Sequence, residues 1–222
     1  MIAFLDKIAD RLLKKFPENM EGVLVVLPSK RAVVFLKHYL SKKIKKPIFL
    51  PEFYSIEEFV GRVSGLTVLD NISLQFRLYK AYLNNAPKKA DSFDEFMNWS
   101  NVLLHDFNEI DRGLVDAEAI YTNLKDVKEL ENWSVENWSL SNDNLSPLQN
   151  DYVSFFESMH SWYKTFKQEL LAENLAYQGL AYRNAAQKIK DRTLPWKKVW
   201  FIGLNALTKS EQEIINHLKQ KD

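Results

Sequence analysis

Residues 23–40 read VLVVLPSKRAVVFLKHYL, and this stretch decides the fold class. Val23 through Leu27 form a short, continuous, β-branched apolar run ended by Pro28, the pattern of a strand buried on both faces of a parallel sheet. The spacing of Ala32, Val33, Leu36 and Leu40 then predicts a helix over 30–41. Upstream, residues 1–16 place Ile2, Leu5, Ile8, Leu12 and Leu13 at helical spacing, while Asp6 and Asp10 interrupt any run a secretory signal would need. Downstream, Ile48, Phe49 and Leu50 predict a second short strand stopped by Pro51. Ser55 followed by Glu58 has the form of a capping box opening a third helix. Helix, strand, helix, strand, helix is the start of an α/β fold with right-handed crossovers.

From residue 71 to 189 the strand signal disappears. Apolar residues three and four apart predict helices over 74–83, 93–107, 117–124, 148–171 and 177–189. Residues 131–146, rich in Ser, Asn and Asp, predict a loop or exposed arm. After Pro195 the pattern reverts: 199–202 (VWFI) predicts a strand, Gly203 a turn, and Thr208 or Ser210 the cap of a helix over 211–218. The expected organisation is an α/β domain in residues 1–70, an all-helical insertion in 71–190 and a return of the α/β domain in 191–222, where it looks truncated.

With 222 residues, 46% of them hydrophobic and 13% aromatic, the chain can bury a sizeable core. A formal net charge of +1 gives no global field for polyanions, so any nucleic-acid binding must rest on local patches. The absence of cysteine removes disulfides, thiolate catalysis and cysteine-based zinc sites, and fits a reducing, cytoplasmic setting. No run approaches the roughly 18 apolar residues that span a membrane.

Catalytic signatures are missing. There is no G-x-x-x-x-G-K-[ST], no G-x-G-x-x-G and no G-x-S-x-G, and the six glycines are isolated. His38, His105, His160 and His217 lie on separate elements without a second ligand at i+3 or i+4. In DFNEID (106–111), Phe107 and Ile110 interrupt Asp106, Glu109 and Asp111 as core anchors, so the segment predicts a solvated helix end rather than a cation loop. No catalytic residue, metal ligand or cofactor is assigned.

Ser29, Lys30 and Arg31 sit where a buried strand meets a helix N-terminus. In open α/β sheets ligands bind at the carboxyl ends of strands, which makes these residues candidates for contact with a phosphate backbone. Lys42, Lys43, Lys45 and Lys46 predict an ordinary solvated connection. Residues 91–136 carry many acids, including Asp91, Asp94, Glu95, Asp106, Glu109, Asp111, Asp116 and Glu118, which would repel DNA. Trp99, Trp162 and Trp200 fall within apolar patterns and predict core positions, whereas Trp133 and Trp138, in the polar arm, are candidates for base stacking or partner docking.

Residues 23–40, 51–60 (PEFYSIEEFV), 106–111 and 199–207 (VWFIGLNAL) together resemble the N-terminal region of Bacteroidetes-type PD-(D/E)XK nuclease family proteins. Those are similar to the AddB subunit of the helicase-nuclease that processes double-strand breaks. The resemblance implies a partial superfamily I helicase-like sheet domain, inactivated as an ATPase and split by the helical insertion. It implies that Ser29-Lys30-Arg31-Ala32 match a motif touching single-stranded DNA, and that Glu52-Phe53-Tyr54 fall where helicases carry Thr-Phe-His, making Phe53 and Tyr54 further DNA-contact candidates. The two acids that hold magnesium in active helicases would fall at Gly203 and Leu204. The implied function is a non-catalytic scaffold that guides a single or double DNA strand in repair, with the rest of the nuclease or a helicase-nuclease subunit as partner. The alternatives are a protein-protein interaction module without DNA binding and, further off, an unrecognised nucleotide hydrolase.

Overall fold

The computed structural model describes residues 3–85, 90–122 and 147–220. The chain divides into two compact units: Met1–Gly65 with Asn184–Asp222, and Leu66–Arg183.

Unit one begins with helix α1 (Phe4–Lys15), strand β1 (Val23–Leu27), helix α2 (Lys30–Lys43), strand β2 (Glu52–Ser55) and helix α3 (Ile56–Ser64). All five residues of β1 are buried, as a central parallel strand requires. Val23, Val25 and Leu27 face a core made with Ile8, Ala9 and Leu12 of α1 and Val33, Leu36 and Leu40 of α2. Leu24 and Val26 point to the opposite face by the two-residue alternation of a strand, and α3 packs there.

The second strand does not lie at 48–50. Phe49 is 70% exposed, forms an isolated bridge with Asn19 and accepts the Met20 N–H at 3.0 Å. Ladder pairing with β1 starts one residue beyond Pro51, which has no N–H to donate. β2 is an edge strand, so its sequence, EFYS, lacks the apolar run of a central one.

Unit two contains helices α4 (Asn71–Asn84), α5 (Phe93–Arg112) and α6 (Pro147–Ala172), and the first residues of α7 (Gln178–Lys188). It is not all-helical. Strand β3 (Thr67–Val68) pairs in parallel with β4 (Leu175–Ala176), extended by the Thr67 amide donating to the Asn174 carbonyl at 2.9 Å. Strands of two residues are too short to register as alternation. This pairing draws 66–70 into unit two, so the boundary falls after Gly65 rather than after residue 70. At the other end Asn184 onward belongs to unit one, where Lys188 Nζ donates to the Ser64 carbonyl at 3.1 Å. An aromatic core of Tyr82, Phe96, Trp99 and Trp162, with ring centroids 4.8–5.9 Å apart, holds α4, α5 and α6 together.

The chain then returns to unit one with β5 (Lys198–Phe201) and helix α8 (Lys209–Lys219). β5 pairs in parallel with β1 on the side away from β2, giving the order β2-β1-β5. No helix among the described residues is long and apolar enough to cross a membrane.

The near-neutral total charge conceals a division. Unit one carries 20 Lys and Arg against 11 Asp and Glu, a formal +9; unit two carries 10 against 18, a formal −8.

Candidate nucleic-acid interface

The carboxyl ends of β1 and β2 each run directly into a helix. β1 ends at Leu27, Pro28 follows, and Ser29 adopts extended dihedrals as the N-cap of α2, its Oγ accepting from the Ala32 amide at 3.3 Å. β2 ends at Ser55, which caps α3 with the anticipated capping box: the Glu58 amide donates to Ser55 Oγ at 3.2 Å and the Ser55 amide to Glu58 Oε2 at 2.9 Å. Beyond β5, Gly203 turns the chain at φ 70°, a left-handed value that favours glycine, where an added Cβ would meet the Phe4 ring at 3.3 Å and Pro28 at 3.9 Å. Thr208 then caps α8 in a second capping box, with Glu211.

These helix starts differ in charge. α3 and α8 place Glu58 and Glu211 in their first turns, where a carboxylate satisfies the positive end of the helix dipole. The first turn of α2 holds no acid and instead presents Lys30 and Arg31. Cations there oppose the dipole by about 0.3–1 kcal/mol each. The Lys30 side chain is 76% exposed, with Nζ 3.5 Å from Glu58 Oε1, and the Arg31 guanidinium lies 5.7 Å from the Phe35 ring. Ser29, Lys30 and Arg31 are thus brought together at one sheet edge, beside helix amides and facing outward. The Ser55 amide, followed by its hydroxyl and the Lys30 charge, holds the Glu58 carboxyl below the usual glutamate value despite its partial burial.

Phe53 and Tyr54 do not join this group. As neighbours on a strand they point to opposite faces. Phe53 packs into the α1/α2 core beneath Lys37 Nζ, 5.3 Å from its ring. Tyr54 lies on the α3 side, with the Arg62 guanidinium 4.6 Å from its ring centroid and Trp196 at 5.8 Å. Of the lysines at and beyond the end of α2, Lys43, its last residue, is engaged by Asp6 at 2.9 Å and Asp10 at 2.7 Å. Trp133 and Trp138 lie outside the described residues.

In unit two the expected solvated helix end at Asp111 is overturned. Asp111 is completely buried. Its Oδ1 accepts from Tyr163 Oη at 2.7 Å, from Lys167 Nζ at 3.3 Å and from Arg183 Nε; Oδ2 accepts from Tyr177 Oη. Arg183 Nη2 also donates to the carbonyls of Ile110 (3.0 Å) and Val115 (2.6 Å). Burial, reinforced by the Asp111 charge, pushes the hydroxyls of Tyr163 and Tyr177 well above the usual tyrosine value. Burial also lowers the Lys167 ammonium against the opposing pull of Asp111. Three helices are thereby tied to one carboxylate. A signal was present in the sequence: Asp111 follows Phe107 by four residues and Leu104 by seven, which places it on the apolar face of α5. Tyr163, Lys167, Tyr177 and Arg183 carried no signal, since they meet Asp111 only through the fold. Among the described residues no three His, Asp or Glu side chains could share a metal ion.

No known protein family matches this chain, and no curated protein matches it significantly.

Proposed function

We propose that unit one is a non-catalytic, helicase-like module that guides a DNA strand along the carboxyl edge of its sheet, as part of a cytoplasmic double-strand-break repair nuclease. The observation that carries this reading is the first turn of α2. It is the helix start at this edge that lacks an acid, and it presents two cations where the dipole favours an anion. A phosphate would satisfy the amides, the dipole and both side chains at once. The formal +9 of unit one supports the reading, because electrostatic attraction supplies most sequence-independent affinity for nucleic acid. The −8 of unit two would keep the strand away from that unit.

In this account Lys30 and Arg31 contact backbone phosphate and read no base, so binding is indifferent to sequence. The rest of the nuclease, or a helicase-nuclease subunit, supplies the chemistry. Photocrosslinking of a bromodeoxyuridine-substituted single strand, followed by peptide mapping, tests the placement. Crosslinks should fall in residues 29–35, and crosslinks confined to 66–183 would sink it. A second reading, partner docking without DNA, is favoured by the exposure of Val34 (65%) and Phe35 (45%) immediately beyond Arg31.

A further inference from the structure

A cleft of about 290 Å³ opens at the other end of the same sheet, lined among others by Glu52, Arg62, Arg192, Thr193 and Trp196. Glu52 is the first residue of β2, Arg62 lies in the last turn of α3, and Arg192 to Trp196 lead into β5. The cleft therefore sits at the amino end of β2, whereas Ser29 to Arg31 lie at the carboxyl end of β1. All of its lining belongs to unit one.

Donors dominate the lining. Neither Arg62 nor Arg192 forms an ion pair among the described residues. The Arg62 guanidinium is held 4.6 Å from the Tyr54 ring centroid, and Arg192 is anchored by Nη1 donating to the Arg62 carbonyl at 2.7 Å. The Trp196 ring is fixed against Tyr54 and Phe59, and its Nε1, without a hydrogen-bond partner among the described residues, is closed off from solvent, so it offers no donor to a ligand. Thr193 adds a hydroxyl. Against these stands one carboxylate, Glu52, and it already accepts from Tyr54 Oη at 2.7 Å.

We propose that this cleft binds a phosphate monoester. Two guanidinium groups and a hydroxyl ask for a ligand with several acceptor oxygens and negative charge. Arginine forks match phosphate in shape as well as in charge. A carboxylate offers two oxygens to these donors, a terminal phosphate three. Glu52 suits a hydrogen-bond donor on the attached group, such as a sugar hydroxyl, and the volume lies at the small end of ligand sites, enough for a phosphate with one sugar-sized group. The monoester could belong to a free sugar phosphate or nucleotide, or to the phosphorylated end of a nucleic-acid strand. The proposal stands independently of the role given to Lys30 and Arg31.

The test uses the whole chain labelled with nitrogen-15, following the Trp196 indole N–H signal, identified by its loss in Trp196→Phe. The probes are inorganic phosphate, ribose 5-phosphate, adenosine, and a short thymidine oligonucleotide with or without a 5′-phosphate. A saturable shift of this signal with ribose 5-phosphate or with the phosphorylated oligonucleotide, and none with adenosine or the unphosphorylated strand, is expected. Response to the phosphorylated strand alone identifies a strand end as the source, and response to both identifies the monoester itself. Arg62→Gln and Arg192→Gln should each weaken binding roughly tenfold, as loss of a charge-assisted hydrogen bond does. Both side chains lie at the surface, and unchanged signals from the other indoles will verify that the variants fold. Lys30→Ala with Arg31→Ala should leave the response intact, which separates this site from the carboxyl edge. No shift with any phosphate probe at millimolar concentration, or equal shifts in the arginine variants, overturns the proposal.

Discussion

Lys30 Nζ lies 3.5 Å from Glu58 Oε1, joining the first turn of α2 to the first turn of α3 at the carboxyl edge of the sheet. Lys30 is exposed and Glu58 only partly buried, so the pair adds little to stability. Its effect is on Lys30, part of whose charge is spent on Glu58. Glu58→Gln keeps a side chain able to close the capping box and removes the competing charge. Single-strand affinity at low salt should rise by up to about fivefold, the scale of an exposed ion pair. Fluorescence anisotropy checks this, and unchanged or weaker binding would mean that Lys30 does not face the strand.

The same carboxylate fixes an acid limit. The folded chain holds Glu58 below the ordinary value of 4.5, so its contribution to stability is present above that value and is lost as pH falls through the lower folded value. Denaturant midpoints for the parent should decline below about pH 4.5 more steeply than for Glu58→Gln. Parallel curves would show that the cap carries no linkage.

Asp111 gives the largest expected effect on stability. Asp111→Ala leaves Lys167 and Arg183 without their counter-charge in a buried setting, which should cost about 3–5 kcal/mol in urea denaturation. Asp106, exposed on the same helix, should lose almost nothing on conversion to Asn. It is therefore Asp106→Asn, and not any change at Asp111, that probes repulsion of DNA by the acidic surface of unit two; binding should stay the same or improve slightly. Gly179→Ala tests the neighbouring contact, because a Cβ there would lie 2.2 Å from the Asn108 carbonyl oxygen. Overpacking of this kind costs about 1–3 kcal/mol.

Tyr163 and Tyr177 set an alkaline limit. Their hydroxyls stay protonated in the folded chain above pH 10, where the unfolded chain releases its protons. Their contribution is fully present below the unfolded value and is lost as pH rises beyond it, by up to about 1.4 kcal/mol per pH unit for each tyrosine. Helical circular dichroism should therefore fall cooperatively above about pH 10. Tyr163→Phe should start from lower stability and show a shallower slope, and an unchanged slope would contradict the assignment.

Local chemistry is what the sequence made legible. The run at 23–27 announced a doubly buried strand, Ser55 with Glu58 announced a capped helix, and the strand near 199 was expected in the same parallel sheet, where β5 lies. The edge strand β2 and the two-residue strands were hidden, because EFYS has no apolar run and β3 and β4 are too short for a period. Candidate-site residues were legible only where one turn contains them, as Ser29 to Arg31. Asp111 was misread because charge was weighed above its position on the apolar face of α5. The cleft formed by Arg62, Arg192 and Trp196 depends on residues about 130 apart in sequence and left no local pattern.

The salt dependence of single-strand binding, with and without Lys30 and Arg31, tests the central claim most directly. The parent should bind a thymidine oligonucleotide weakly, at roughly 10⁻⁴ to 10⁻⁶ M, with log K falling by about 0.7 for each phosphate neutralised per decade of salt. Lys30→Ala with Arg31→Ala should weaken binding equally for all sequences and flatten that slope by about 1.4, two contacts' worth. An unchanged affinity and an unchanged slope in the double variant would contradict the assignment of the carboxyl edge to DNA.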